Sequence, residues 1–219
     1  MHTYSLTVAT CVALVSLALT ASADLEFTDY GGGLYVGYIT MDSDDARDEG
    51  IDDQGILAGF RIDSVINRHY VLNAGLGLFY ADDEDPFRQT VRQENLFFDD
   101  DISTESSDIE GISAFLEAGV RFPVGFEDRL RLGVNVGYHF IDAERTISNC
   151  SDCRDEDVDV DAGLYLSPAV IAVIQAFKLD LSYQYYFDQG GARGAWIASL
   201  SYMFGPDQRP PIDGGGNEW

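Results

Sequence analysis

The stretch that most constrains the fold is Gly194-Ala-Trp-Ile-Ala-Ser-Leu-Ser-Tyr-Met-Phe204. Trp196, Ala198, Leu200, Tyr202 and Phe204 share one parity, while Ser199 and Ser201 lie on the other. Strand side chains alternate between faces, so one face here is bulky and apolar and the other small and polar. In a soluble sandwich the bulky face packs on a core. In a membrane barrel it faces lipid and the small face lines the lumen. One strand does not separate the two; seven further runs and their connections do.

Before Trp196 the same alternation recurs seven times. The bulky parities are Leu34–Tyr38, Ile56–Ile62, Tyr70–Tyr80, Ile112–Phe122, Leu130–Phe140, Val160–Leu166 and Phe177–Phe187. The sixth is expected to end or bulge at Pro168, which lacks a ladder donor. Opposite the bulky residues lie Gly37, Gly59, Gly75, Gly77, Gly119, Gly133, Gly137 and Gly163, interspersed with Arg61, Asp63, Asn73, Glu117, Arg121, Arg131, Asn135, Lys178 and Asp180. Buried charge is costly unless paired, so this face makes a poor soluble core. It makes a good interior for an eight-stranded barrel, which side chains just fill, with glycine leaving room for long polar groups. Lipid outside is the reading that follows; a soluble, lipocalin-like barrel would put the aromatic face inside.

Connections alternate in length. Residues 42–53, 81–110 and 142–157 form long acidic loops, whereas 64–68, 125–129 and 175–176 form short turns; 188–193 is short and glycine-containing. Long loops on one rim and short turns on the other mark an outer-membrane barrel. Tyr38, Tyr80, Tyr138, Phe140, Tyr185, Phe187 and Trp196 lie at the long-loop ends of their strands. Phe60, Tyr70, Phe122, Phe177, Tyr202 and Phe204 lie at the turn ends. Two aromatic girdles, one at each interface, are the expected consequence.

Ahead of the strands, Val8–Leu19 is apolar and Ala21-Ser-Ala23 precedes Asp24, the pattern of a cleaved export signal over 1–23. A lead-in over 24–33, a barrel over 34–204 and a flexible periplasmic tail over 205–219 complete the expected organisation, with both termini periplasmic. The 38 acidic against 13 basic residues give a net charge of −25, which excludes nucleic acid as a partner.

With export signal, eight alternating runs, unequal loops and two girdles in hand, the chain resembles the small eight-stranded outer-membrane barrels of Gram-negative bacteria, the OmpA/OmpX-like group. The resemblance implies an all-β, antiparallel, up-and-down transmembrane β-barrel in the bacterial outer membrane, embedded among lipid and lipopolysaccharide. Leu200-x-Tyr202-x-Phe204 resembles the C-terminal strand signal read by the barrel-assembly machinery. Fifteen residues after Phe204 are too few for the peptidoglycan-binding domain that follows OmpA-type barrels.

Four candidate sites follow. Arg61, Asp63, Glu117, Arg121, Arg131, Lys178 and Asp180 form a lumen charge cluster expected to pair as a plug, the alternative being a narrow ion or small-solute path gated by those pairs. Residues 42–53, 81–110 and 142–161 hold 26 carboxylates against 5 arginines, expected to be solvated, with divalent cations as a weaker expectation. Cys150 and Cys153, the only cysteines beyond Cys11, are expected to form a local disulfide in an oxidising compartment. Small barrels of this group include lipid A-modifying enzymes with His and Ser near the outer rim. Here His69 sits at the wrong rim, and His139, even with Ser199 or Ser201 across the lumen, is expected to be a satisfied lumen residue. No cofactor, metal centre or catalytic residue is expected. The expected role is structural or interactive, through acidic loops on the outside.

Overall fold

The computed structural model describes residues 27–83, 107–124, 129–147, 156–187 and 191–204. The strands are β1 (Phe27–Met41), β2 (Ile51–Ile66), β3 (Tyr70–Asp83), β4 (Ser107–Pro123), β5 (Leu130–Ile147), β6 (Glu156–Val158), β7 (Gly163–Ile174), β8 (Phe177–Tyr186) and β9 (Ala192–Met203). One short helix, α1 (Ser43–Glu49), joins β1 to β2. Every neighbouring pair is antiparallel, and β1 pairs with both β2 and β9, so the sheet closes. β6 and β7 both lie on β5 and together make one stave, so the nine strands form an eight-stave barrel.

Burial follows parity. Leu34, Phe60, Leu76, Leu78, Val134, Leu181 and Leu200 point outward and are exposed, Leu78 by 68% and Phe60 by 71%. Arg61, Asp63, Glu117, Lys178 and Asp180 point inward, none more than 4% exposed. A closed sheet that turns a continuous band of apolar residues outward and its charges inward satisfies its backbone internally and presents hydrocarbon to its surroundings, which only a bilayer rewards.

Three local features differ from the expectations. β1 begins at Phe27, not at Leu34. Gly31, Gly32 and Gly33 hide the alternation there, because they offer no side chain to count. Pro168 neither ends nor bulges its strand: β7 runs on to Ile174, and Val134 faces Pro168 in regular register on β5. Its missing donor falls towards β8, whose pairing skips from Leu166–Tyr185 to Ala169–Ser182 without a shift. The bulge lies earlier. Ala143 faces Val158, but His139 faces Gly163, a slip of one residue, and Gly163 takes a φ of 72°. Such a slip reverses parity. Val160 and Ala162, expected on the lipid face, therefore turn inward and are buried, while Asp159 and Asp161 are exposed.

Strands β2 to β5 rise beyond the apolar belt, so much of the predicted loop sequence is ladder. Glu110 faces Glu144, Asp82 faces Asp108, and Glu144 faces Asp157. Like charges directly opposite one another are unfavourable, and only water with counter-ions makes such a ladder tolerable.

Candidate functional site: the filled lumen and its two mouths

Inward-facing residues stack in layers that the register dictates. The charged layer is centred on Arg61. Its Nε donates to Asp63 Oδ1 at 2.7 Å, and its Nη2 to Glu117 Oε1 at 3.1 Å and Asp180 Oδ2 at 3.2 Å. Lys178 Nζ reaches Asp63 Oδ1 at 2.5 Å and lies 3.7 Å from Asp180 Oδ2. Glu117 also accepts from Asn73 at 2.8 Å, Asn135 at 3.3 Å and Tyr165 at 3.1 Å. Ser201 donates to Asp63 Oδ2 at 2.6 Å. Two cations and three carboxylates thus share a buried compartment, where mutual pairing is what makes ionisation tolerable.

Arg121 and Arg131 do not join this layer. They line the turn-side mouth, a cavity of about 350 Å³ shared with Arg68, His69, Thr28 and Asp29. The seven predicted lumen charges therefore divide five and two.

Towards the loop side the lumen is apolar. Tyr35, Leu57, Phe79, Phe115, Tyr165 and Ile197 fill it with Ile39, Ile109 and Ile141 above them. Counting the small face by its glycines and charges overlooked Tyr35, Leu57, Phe79, Phe115 and Ile197, which share that parity. The signal was present as bulky residues at inward positions, but which of them meet depends on register.

Register also explains the glycines. Across neighbouring strands, Tyr35, Gly59, Gly77 and Ser113 form one row, and the Tyr35 hydroxyl meets Ser113 Oγ at 3.1 Å. Glu117, Gly137 and Tyr165 form another, and Tyr165 reaches Glu117 across the bare glycine. A Cβ on Gly137 would lie 2.5 Å from Tyr165 Cζ, and one on Gly55 2.6 Å from Phe79 Cε2. These glycines clear space chiefly for aromatic rings, whereas room for long polar groups was expected. Gly119, beside Asn135, fits the expectation.

His139, 1% exposed, packs among Phe115, Tyr165 and Tyr186. Its Nδ1 meets the Tyr186 hydroxyl at 2.7 Å, and Tyr186 donates to Gln184. Of the two serines weighed as partners for it, Ser201 donates to Asp63, and Ser199 faces Tyr35 and Asp180 on the neighbouring strands. His69 is exposed in the β2–β3 turn.

At the loop-side mouth α1 lies over the opening with Ala46 buried. Asp42 is its N-cap, accepting from the Asp44 N–H at 3.0 Å, and its backbone N–H donates to Gly191 O at 2.7 Å. Arg193 Nε donates to Asp42 Oδ2 at 2.7 Å. Gly191 N–H donates to Asp45 at 3.0 Å, and Arg145 donates to the Glu49 carbonyl at 2.7 Å. The Asp44 N–H, then Arg193, hold the Asp42 carboxyl below its ordinary range. A depressed folded pKa contributes stability above the unfolded value near ~4, lost as pH falls through the folded one. The Asp42 carboxyl resonance is therefore expected to titrate below pH ~4; a midpoint at or above it would contradict this cap.

The thirteen aromatics assigned to the two girdles are all outward and exposed. Cys150 and Cys153, residues 1–26, most of 81–110 and the segment 205–219 lie outside the described residues.

Residues 9–204 match the family model of the outer membrane protein beta-barrel domain. The chain belongs to this family. Its place is the bacterial outer membrane. Among solved structures, the outer-membrane barrel is similar to Ail, the attachment invasion locus protein of Yersinia pestis, at 14% identity and a TM-score of 0.47, covering 82% of this chain and 100% of that one. Ail has also been solved with the heparin analogue sucrose octasulfate, at 12% identity and a TM-score of 0.47, over 80% and 99% of the two chains. Neisserial surface protein A matches at 11% identity and a TM-score of 0.42, over 80% and 94%. No curated protein matches the chain.

Proposed function

We propose that this barrel is a plugged, non-conducting outer-membrane protein that serves the cell surface structurally or by presenting its acidic rim to a partner. The observation that carries the reading is the filled lumen: an ion-paired layer around Arg61 lies beneath an apolar layer of Tyr35, Phe79, Phe115 and Tyr165, with α1 above. A gated channel would need the charged layer to rearrange and the apolar layer above it to open as well. The Asp63–Lys178 and Arg61–Glu117 contacts, buried and multiply hydrogen-bonded, oppose the first.

Acid–base catalysis at His139 is disfavoured by its Tyr186 partner and its aromatic surroundings. On the rim, Asp82, Asp108, Glu110, Asp142, Glu144 and Asp157 suit a cationic partner surface or divalent counter-ions. The outward aromatics serve as girdles at the two interfaces, and Leu200, Tyr202 and Phe204 on the outward face serve barrel assembly. A Cys150–Cys153 disulfide would tighten the outer segment between β5 and β6.

Planar-bilayer recording tests the reading. Insertion of the folded protein is expected to leave conductance at background over a wide range of salt and voltage. Resolved unitary steps that vanish in an Arg61 variant would replace it with the gated-channel reading.

A further inference from the structure

The turn-side mouth is built differently from the rest of this acidic molecule. Of the 13 basic residues in a chain of net charge −25, three, Arg68, Arg121 and Arg131, converge on one cavity of about 350 Å³, with His69 beside them and Asp29 as the one lining carboxylate among the described residues. The volume is within the range of small-ligand pockets and would hold roughly ten waters. Arg121 is only 4% exposed. Its backbone is fixed by an N–H donated to the His69 carbonyl at 2.8 Å. Among the described residues its guanidinium has one hydrogen bond, from Nε to the Arg68 carbonyl at 3.4 Å. A guanidinium carries five donors in a planar fork, and that single long contact leaves most of them turned to the cavity it lines. A planar guanidinium fork matches an oxyanion bidentately.

We propose that this periplasmic mouth is an oxyanion-binding site, taking one phosphate or carboxylate group on Arg121, with Arg68 and Arg131 completing the charge around it. The site is at the opposite end of the barrel from the acidic rim and does not rest on the surface role proposed above. Two sources share this chemistry: a free periplasmic anion, or the chain's own acidic segment after Phe204, which carries Asp207, Asp213 and Glu218. That segment leaves the barrel at the same end, since Phe204 N–H donates to the Tyr30 carbonyl near the start of β1.

The test is calorimetric titration of the full chain, folded in zwitterionic micelles, with inorganic phosphate and separately with succinate, at ionic strength held constant with chloride. Saturable binding of either probe is expected, weakened at least tenfold in Arg121→Gln and severalfold in Arg68→Gln, whose exposed side chain leaves the barrel intact. Arg131→Gln supplies the comparison should Arg121→Gln fail to fold. Tighter binding in the triple variant Asp207→Asn, Asp213→Asn, Glu218→Gln would identify the chain's own carboxylates as occupant, and unchanged binding a free anion. The absence of saturable heat with both probes, in wild type and triple variant alike, would overturn the site, as would equal binding by all three arginine variants and wild type.

Discussion

Arg61→Met is expected to lower the unfolding free energy of the barrel by about 3–5 kcal/mol, the usual cost of breaking a buried charge network from one side. Arg61 bridges Asp63, Glu117 and Asp180, which come from three different strands. Without it those carboxylates face each other with Lys178 as the remaining cation of the layer. Arg61→Lys recovers only part of the loss, because an ammonium lacks the planar fork that serves three acceptors. Neutralising the acceptors in the Arg61→Met background, with Asp63→Asn, Glu117→Gln and Asp180→Asn, is expected to restore much of it, since the penalty belongs to unpaired charge. Urea unfolding in micelles, followed by tryptophan fluorescence and by heat-modifiable gel mobility, measures each variant. An unfolding midpoint for Arg61→Met within error of wild type would show that the charged layer contributes nothing.

Gly137→Ala is the second large effect, although it adds a single methyl group. The Tyr165 ring crosses Gly137 to donate to Glu117 Oε2 at 3.1 Å, and a Cβ there would lie 2.5 Å from Tyr165 Cζ and 2.8 Å from the Leu116 carbonyl. Backbone on one side and a packed ring on the other leave no direction for relaxation, so overpacking costs about 1–3 kcal/mol. Losing the hydrogen bond to a charged acceptor adds about 1.5–3 kcal/mol. The discriminating measurement is a double-mutant cycle in the same urea assay. In a Tyr165→Ala background the cost of Gly137→Ala should largely disappear. Equal costs in both backgrounds would mean that the glycine acts through strand backbone rather than through the ring.

These two positions illustrate what was legible in the chain. Arg61 was recognisable as an interior charge needing partners, because its parity opposes Phe60 and Ile62. Gly137 was recognisable as an interior glycine. What lay above it was not, since Tyr165 and Glu117 are joined by a row across three strands, and rows depend on stagger. The same limit separated Arg121 and Arg131 from the Arg61 layer: parity gives the face of a residue, not its height along the axis. Val160 and Ala162 failed for a local reason, the one-residue slip before Gly163. Helix α1 carries no alternation, and its hold on the barrel, through Asp42 and Gly191, joins residues far apart in the chain.

Alternation by itself determined that strands would form, how many staves they would make and which side would meet lipid, because a period of two is a property of consecutive residues and hydrocarbon tolerates only one of its faces. Closure, stagger and the bulge before Gly163 decided everything inside: which charges pair, which glycine lies beneath which ring, and that the outer half of the lumen is greasy. Those contacts join side chains on different strands, and their energies depend on distances that no single strand contains.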